Sequence, residues 1–178
     1  MRIAVSGVHR TGKTTLVEAL AERLPGHVAA PEPYLLLEEQ GYAFDHPPSV
    51  EDYAAQMRAS LGLLRRPGRN AVFDRCPLDF LGYIFASRGG DRFDPEPWRA
   101  PIVAAMRSLD LVVFLCADPA HDPADDPDEA VFRTEVDGWL RDIVEGDDLD
   151  LCAGAPVLPL DGPWDRRLGA VLARLGRG

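Results

Sequence analysis

The chain has 178 residues, of which 46% are hydrophobic, and its formal net charge is −10. This length allows a full hydrophobic core, and the composition is too apolar for a disordered chain. The negative charge argues against DNA or RNA as the main partner, because nucleic-acid-binding surfaces are usually basic. From the length we predict a single domain over residues 1–178.

Short apolar runs alternate with helical segments along the chain. Strands are predicted at residues 2–6, 27–30, 71–74, 111–116 and 157–160. Helices are predicted at residues 13–24, 49–66, 77–88, 95–109, 128–144 and 164–175. This alternation is typical of an α/β fold with a parallel sheet and right-handed crossovers, here with five strands.

A glycine-rich motif joins the first strand to the first helix. Residues 7–14 read GVHRTGKT and fit the spacing GxxxxGK[ST]. Glycines let successive N–H groups point at phosphate oxygens, and the following helix N-terminus adds partial positive charge. A plain glycine turn is the alternative, but the strand before and the helix after favour nucleotide binding. The predicted nucleotide-binding residues are Gly7, Val8, His9, Arg10, Thr11, Gly12, Lys13, Thr14 and Thr15.

Within this motif two side chains have predicted roles of their own. Lys13 is expected to contact the β- and γ-phosphates, and the Thr14 hydroxyl is expected to ligate Mg²⁺. The motif therefore predicts a nucleotide with Mg²⁺; ATP is the expected nucleotide, and a preference for GTP stays open.

The third predicted strand ends in a second candidate feature, the run AVFDRCPLDF. Asp74 stands at the strand end, where carboxylates line the ligand crevice of a parallel sheet and can support Mg²⁺. Arg75 follows, and a guanidinium there suits a bidentate phosphate contact. An ordinary ion pair between the two is the alternative. The upstream phosphate-binding motif favours the functional interpretation.

The segment Pro31-Glu32-Pro33 follows the second predicted strand. Two prolines stiffen the backbone around one carboxylate, which would aim Glu32 into the crevice. Taken alone, the pattern favours an exposed loop glutamate.

Taken in order, these motifs resemble the nucleoside and nucleotide kinases of the P-loop proteins. Thymidylate kinases and deoxynucleoside kinases carry a Glu-Pro and an acid-Arg pair at the places of Glu32 and Asp74-Arg75. The longer run DRCPLDFLGY resembles the P-loop kinases that include nicotinamide riboside kinase domains. The resemblance implies a three-layer P-loop sandwich.

The resemblance also implies roles by position. Glu32 resembles the carboxylate that activates the acceptor hydroxyl, and Asp74 and Arg75 resemble the pair beside the acceptor and the transferring phosphate. The loop at residues 160–162, with Gly162, resembles the one that borders the nucleotide base.

A lid is expected around residues 117–141, by the same resemblance. The loop at 117–127 contains no arginine. Arg133 and Arg141, eight residues apart on one predicted helix face, are the candidates for phosphate contact. The alternative is that both pair with acids of their own helix.

These expectations converge on a kinase that transfers the γ-phosphate of ATP to a small acceptor. The predicted catalytic residues are Lys13, Glu32, Asp74, Arg75 and Arg133, and the predicted metal ligands are Thr14 and Asp74. A hydroxyl must lose a proton as it attacks, whereas a monophosphate needs cations around it. The acid at Glu32 favours the hydroxyl of a nucleoside-like molecule, with a nucleotide acceptor left open. The rival classes are a nucleotide-hydrolysing switch that acts through a protein partner and a kinase for a sugar or small acid.

The sequence also predicts the location of the protein, from its membrane-segment, cysteine and N-terminal patterns. No apolar stretch approaches the roughly 20 residues of a membrane helix. Cys76, Cys116 and Cys152 are too widely spaced for a zinc motif or a disulfide framework. The chain enters a strand directly, so we expect no signal peptide, a cytoplasmic location and no membrane partner. Whether the chain forms a homodimer stays open.

Overall fold

The computed structural model describes residues 1–66, 68–118 and 126–176. Its described part contains one parallel sheet of five strands in the order β2-β3-β1-β4-β5. The strands are β1 (Arg2–Gly7), β2 (Val28–Ala30), β3 (Ala71–Asp74), β4 (Leu111–Leu115) and β5 (Val157–Leu160). The predicted five-stranded parallel sheet is thereby confirmed.

Seven α-helices surround the sheet within the described ranges. They are α1 (Lys13–Arg23), α2 (Pro33–Glu39), α3 (Val50–Arg65), α4 (Pro77–Ala86), α5 (Glu96–Met106), α6 (Pro127–Leu140) and α7 (Trp164–Arg174). A short 3₁₀ turn covers Gly90–Arg92, and a π-helical turn at Arg141–Glu145 continues α6.

The structure contains a helix after β2 that the sequence did not predict. Pro33–Glu39, directly after Glu32, form α2. Pro33 occupies the first helical turn, where its missing N–H costs nothing and its fixed φ suits the helix. Glu32 stands just outside, in an extended conformation with φ −61° and ψ 136°.

Two apolar layers sandwich the sheet. On one face Val112 and Phe114 pack with side chains of α3, α4, α5 and α6. On the other face Val113 and Leu115 pack with side chains of α1 and α7. All five residues of β4 are buried, as expected for a central strand of a parallel sheet covered on both faces. Helices on both faces give the three-layer architecture that the motifs predicted.

The register of the central strands positions the site. Val5 of β1 lies opposite Asp74 of β3, and Gly7 lies opposite Leu115 of β4. The carboxyl ends of β1 and β3 therefore meet at one edge, where parallel α/β sheets bind ligands. No helix in the described residues has the length and apolar character needed to cross a membrane.

Candidate active site

The loop between β1 and α1 depends on glycine at two positions. Gly7 has φ +140° and Gly12 has φ +79°, backbone conformations that residues other than glycine rarely adopt. A Cβ atom on Gly7 would lie 2.5 Å from the carbonyl oxygen of Leu115. Gly7 is therefore required by space as well as by conformation, whereas Gly12 is required by conformation alone.

Backbone donors at the start of α1 are open to a ligand. In the part of the chain that the structure describes, we find no acceptor for the N–H groups of residues 12–15, which include the exposed Thr15. The next N–H, that of Leu16, donates to the Gly12 carbonyl at 3.1 Å. Open first-turn amides at a helix N-terminus are a suitable site for phosphate oxygens.

Lys13 lies inside this loop and is the only lysine of the 178-residue chain. Its side chain is 4% exposed, and its Nζ donates to the carbonyl of Val8 at 2.7 Å. Burial, and after it the positive charge of Arg75, lowers the pKa of Lys13 to about 7. A nucleotide phosphate would compensate this charge directly, since the anion favours the protonated amine.

Asp74 and Thr14 form the candidate metal site. The Thr14 hydroxyl donates to Asp74 Oδ2 at 2.6 Å. The other carboxylate oxygen, Oδ1, is buried and has no hydrogen-bond partner among the described residues. Burial raises the pKa of Asp74 and outweighs the opposite effects of the Thr14 hydrogen bond and of the Lys13 and Arg75 charges. Hydroxyl and carboxylate oxygens are the ligands that Mg²⁺ prefers, so these two residues fit the predicted cation.

Arg75 connects the phosphate-binding loop to Glu32, the carboxylate that is predicted to activate the acceptor hydroxyl. Its Nε donates to Glu32 Oε1 at 2.9 Å, and its Nη1 donates to the Gly7 carbonyl at 3.3 Å. Its backbone adopts φ +75°, which costs a non-glycine residue about 1–2 kcal/mol. The hydrogen bond from its N–H to the Val5 carbonyl, at 2.9 Å, and the ion pair help to hold it there. The structure thus brings Glu32, Asp74 and Arg75 together beside the loop.

The backbone of His9 is bonded to α4. Its N–H donates to the hydroxyl of Tyr83 in α4 at 2.6 Å. The His9 ring nitrogen Nδ1 lies 3.0 Å from the same hydroxyl. Burial, followed by the charges of Arg133 and Arg75, lowers the pKa of His9 to about 4, so the imidazole is neutral at neutral pH.

The two candidate lid arginines have different environments. Arg133 is 5% exposed, and its charge acts on His9, which places it beside the loop. Arg141 is 43% exposed; its Nε donates to Asp137 at 2.8 Å, and its Nη1 lies 3.7 Å from Glu145. Arg133 is thus buried, whereas Arg141 pairs with acids of its own helix, as the alternative interpretation predicts for it. Residues 119–125 of the predicted lid loop lie outside the described residues.

Two anchors of the loop were missed by sequence reasoning. Asp79 of α4 accepts the Gly7 N–H at 3.0 Å and the Cys76 N–H at 2.9 Å. An acid in the first turn, after a proline at the first helical position, is a helix-start signal that the sequence does carry. Arg167 of α7 donates to the Thr11 carbonyl at 2.6 Å. These residues are 156 positions apart, and no local pattern links them.

A cavity of about 740 Å³ opens beside Glu32, Arg75 and His9. Five aromatic side chains and one amide side chain form part of its wall. The contributing residues are Tyr34, Tyr53, Gln56, Phe80, Tyr83 and Phe132. The rings of Tyr53 and Tyr83 stack at 5.0 Å. We call this space the acceptor cavity. None of these aromatic and amide residues was predicted as a site residue.

A second cavity, of about 480 Å³, lies at the carboxyl ends of β4 and β5. Cys116, Arg141 and Asp161 line it. Gly162, predicted to border the nucleotide base, follows directly with φ +74°.

Comparisons with known proteins agree with this architecture. The model of the family described as AAA domain (AAA_28) matches residues 2–167. A search of curated proteins finds no match. Deoxyadenosine kinase from M. mycoides with bound dATP is similar in structure, with a TM-score of 0.64 at 14% identity, over 99% of this chain and 100% of that one.

NadR structures are also similar. The complex with NR gives a TM-score of 0.66 at 20% identity, and the complex with NAD and AMP-PNP gives 0.62 at 21%. Both cover 98% of this chain but 49% of the NadR chain, so this chain spans about half the length of NadR. At these identities the likeness concerns the fold. The chain thus belongs to the AAA domain family and has the P-loop nucleoside and nucleotide kinase fold that its motifs predicted.

Proposed function

We propose that the protein is an ATP- and Mg²⁺-dependent kinase that transfers the γ-phosphate to a hydroxyl of a nucleoside-like acceptor. The position of Glu32 carries this proposal. Its carboxylate lines the acceptor cavity and binds Arg75, and Arg75 also contacts the Gly7 carbonyl of the phosphate-binding loop. The Glu32–Arg75 ion pair therefore links the acceptor cavity to the phosphate-binding loop.

On the nucleotide side, the open amides of residues 12–15 and the Lys13 ammonium would hold the phosphates. Thr14 and Asp74 would hold Mg²⁺, which supplies charge neutralisation of the triphosphate when bound. The cavity beside Asp161 would take the base. The dATP and AMP-PNP bound in the structural relatives support an adenine nucleotide.

On the acceptor side, Glu32 would accept the hydroxyl proton as the acceptor oxygen bonds to the γ-phosphorus and the bond to ADP breaks. Arg75 and Lys13 would offset negative charge on the transferring group. A base with hydrogen-bonding edges suits the aromatic wall and the amide of Gln56. Because the Arg75 charge is already paired with Glu32, a monophosphate acceptor is the less suitable alternative.

A panel of acceptors tests the proposal. Nucleosides, nucleoside monophosphates, sugars and simple alcohols are each incubated with ATP and Mg²⁺, and ADP release is compared with a control without acceptor. We expect nucleosides to stimulate release most strongly. Release that is the same without any acceptor would favour a hydrolytic switch, and stimulation by sugars alone would exclude a nucleoside kinase.

A further inference from the structure

A groove of about 630 Å³, different from the two cavities described above, adjoins the acceptor cavity. The two spaces share Ser49, just before α3, and Arg88, just after α4. We call this space the arginine groove, because Arg58, Arg88 and Arg92 line it. Its position makes it an extension of the acceptor cavity.

Among the described residues, none of these three arginines forms a salt bridge with a carboxylate, unlike Arg99 and Arg141. This concentration of positive charge is unusual on a chain of net charge −10. Charged side chains held near one another without partners favour binding of an opposite charge.

Two carboxylates also line the groove, those of Glu51 and Asp94. Asp94 is engaged locally, since its Oδ1 accepts the Glu96 N–H at 3.0 Å. Glu51 is exposed in the first turn of α3. The groove therefore has three cationic side chains and two acidic ones. Substitution of Glu51 gives a test of whether the bound group is negatively charged.

An aromatic wall orients one of the cations. The Arg58 guanidinium carbon lies 5.0 Å from the centre of the Trp98 ring, and the rings of Trp98 and Phe93 are 6.1 Å apart. A guanidinium held over an aromatic face keeps its donors free in a fixed direction. The groove thus offers directed donors beside apolar surface.

The groove lies at the far end of α4 from the phosphate loop. Asp79 in the first turn contacts Gly7, Tyr83 in the middle contacts His9, and Arg88 follows the last turn. At about 1.5 Å per helical residue, Asp79 and Ala86 are roughly 10 Å apart along the axis. A molecule with its reacting hydroxyl at Glu32 would extend its other end towards Arg88.

We propose that the acceptor carries an anionic group, a carboxylate or a phosphate, at the end remote from its reacting hydroxyl, and that the arginine groove binds it. This inference rests on the proposed function for its orientation. Arg88 and Arg92 bind the anion, Arg58 completes the positive surface, and Trp98 packs against the adjoining apolar part.

Matched acceptor pairs test the inference. Uridine and orotidine differ by a carboxylate on the base, and adenosine and adenosine 3′-monophosphate differ by a phosphate on the ribose. The kcat/KM ratio of the anionic to the neutral member is measured for each pair. We expect a ratio above one for at least one pair, and the pair that shows it identifies where the anion sits.

Two substitutions should move that ratio in opposite directions. Arg92→Ala should lower it about 3- to 5-fold, and Glu51→Gln should raise it, because each changes the charge facing the anion. Arg107→Ala, an exposed arginine outside the groove, is the matched control and should leave it unchanged. A ratio that neither groove variant changes would overturn the inference.

Calorimetric binding without ATP separates this inference from the proposed function. If no acceptor is phosphorylated but orotidine or adenosine 3′-monophosphate binds, more weakly to Arg92→Ala, the groove is supported and the kinase proposal fails. If neutral nucleosides are phosphorylated and the anionic members bind no better than they do, the groove fails and the kinase proposal stands. Absence of both transfer and binding overturns both.

Discussion

The phosphate-binding end and the acceptor end of the site are built in different ways. The first uses one contiguous stretch, residues 7–15, and relies mainly on backbone N–H groups and glycine conformations. The second gathers side chains from α2, α3, α4 and α6, with Glu32 and Arg75 at the junction. Changes at the first end should therefore affect every acceptor alike, whereas changes at the second should discriminate between acceptors.

The largest expected effect comes from removing the base at the junction. Glu32→Gln keeps the shape of the side chain but not its ability to take a proton. For a hydroxyl acceptor, kcat should fall by about 10²–10⁴, while ATP binding by calorimetry stays unchanged. Glu38→Gln, at an exposed position in α2, the helix that follows Glu32, is the matched control. Full turnover in Glu32→Gln would remove the support for a hydroxyl acceptor.

At the phosphate-binding end, Lys13→Ala should lower turnover on the order of 10²-fold, because the lost charge acts on the transferring group. The reduction should be the same factor for every acceptor of the panel. Steady-state rates with two unrelated nucleosides check this. A loss confined to one acceptor would contradict the division between the two ends.

A smaller effect is expected at α6, where the two arginines differ in environment. Arg133→Ala should reduce kcat about tenfold, since a buried cation beside the loop would be lost. Arg141→Ala is the control, because this side chain pairs with its own helix. Thermal unfolding of both variants shows whether the fold is intact. If both keep wild-type turnover, neither arginine belongs to the site.

The smallest effect concerns protonation at the phosphate-binding end. The pKa of Lys13 is lowered to about 7, so its amine becomes neutral, and nucleophilic, as the pH rises through that value. Acetylation of Lys13 by acetic anhydride, followed by peptide mass spectrometry, should therefore level off above about pH 8, and ATP with Mg²⁺ should suppress it. A rate that still rises towards pH 10 would show an ordinary lysine.

Peptide mapping makes this measurement unambiguous. The chain has no other lysine, and the only other amine is that of Met1, which donates to Asn70 Oδ1 at 2.6 Å. Modification of Met1 serves as an internal control that ATP should not affect.

The sequence predicted the phosphate-binding end far better than the acceptor end, for a physical reason. The loop, Lys13 and the Asp74-Arg75 pair depend on local spacing and on strand ends, which a sequence pattern carries. The aromatic wall and the contact of Arg167 with Thr11 join residues distant in the chain, and no local pattern encodes them.

Even within the phosphate-binding end, tertiary contacts add what local patterns do not carry. The N–H of His9 donates to the hydroxyl of Tyr83, because packing of α4 brings a hydroxyl to that position. Likewise α2 was missed, because a short segment opened by a proline-flanked glutamate looks like a loop until Pro33 is seen to begin a helix.

The most direct test of the central claim, that the two ends act together in one transfer reaction, uses a nucleoside and its 5′-deoxy analogue. The two molecules fill the acceptor cavity alike, but the analogue lacks the primary hydroxyl. With ATP and Mg²⁺, the nucleoside should stimulate ADP release and yield a product heavier by one phosphoryl group, while the analogue should do neither. Equal ADP release with both molecules, and no phosphorylated product, would contradict the account.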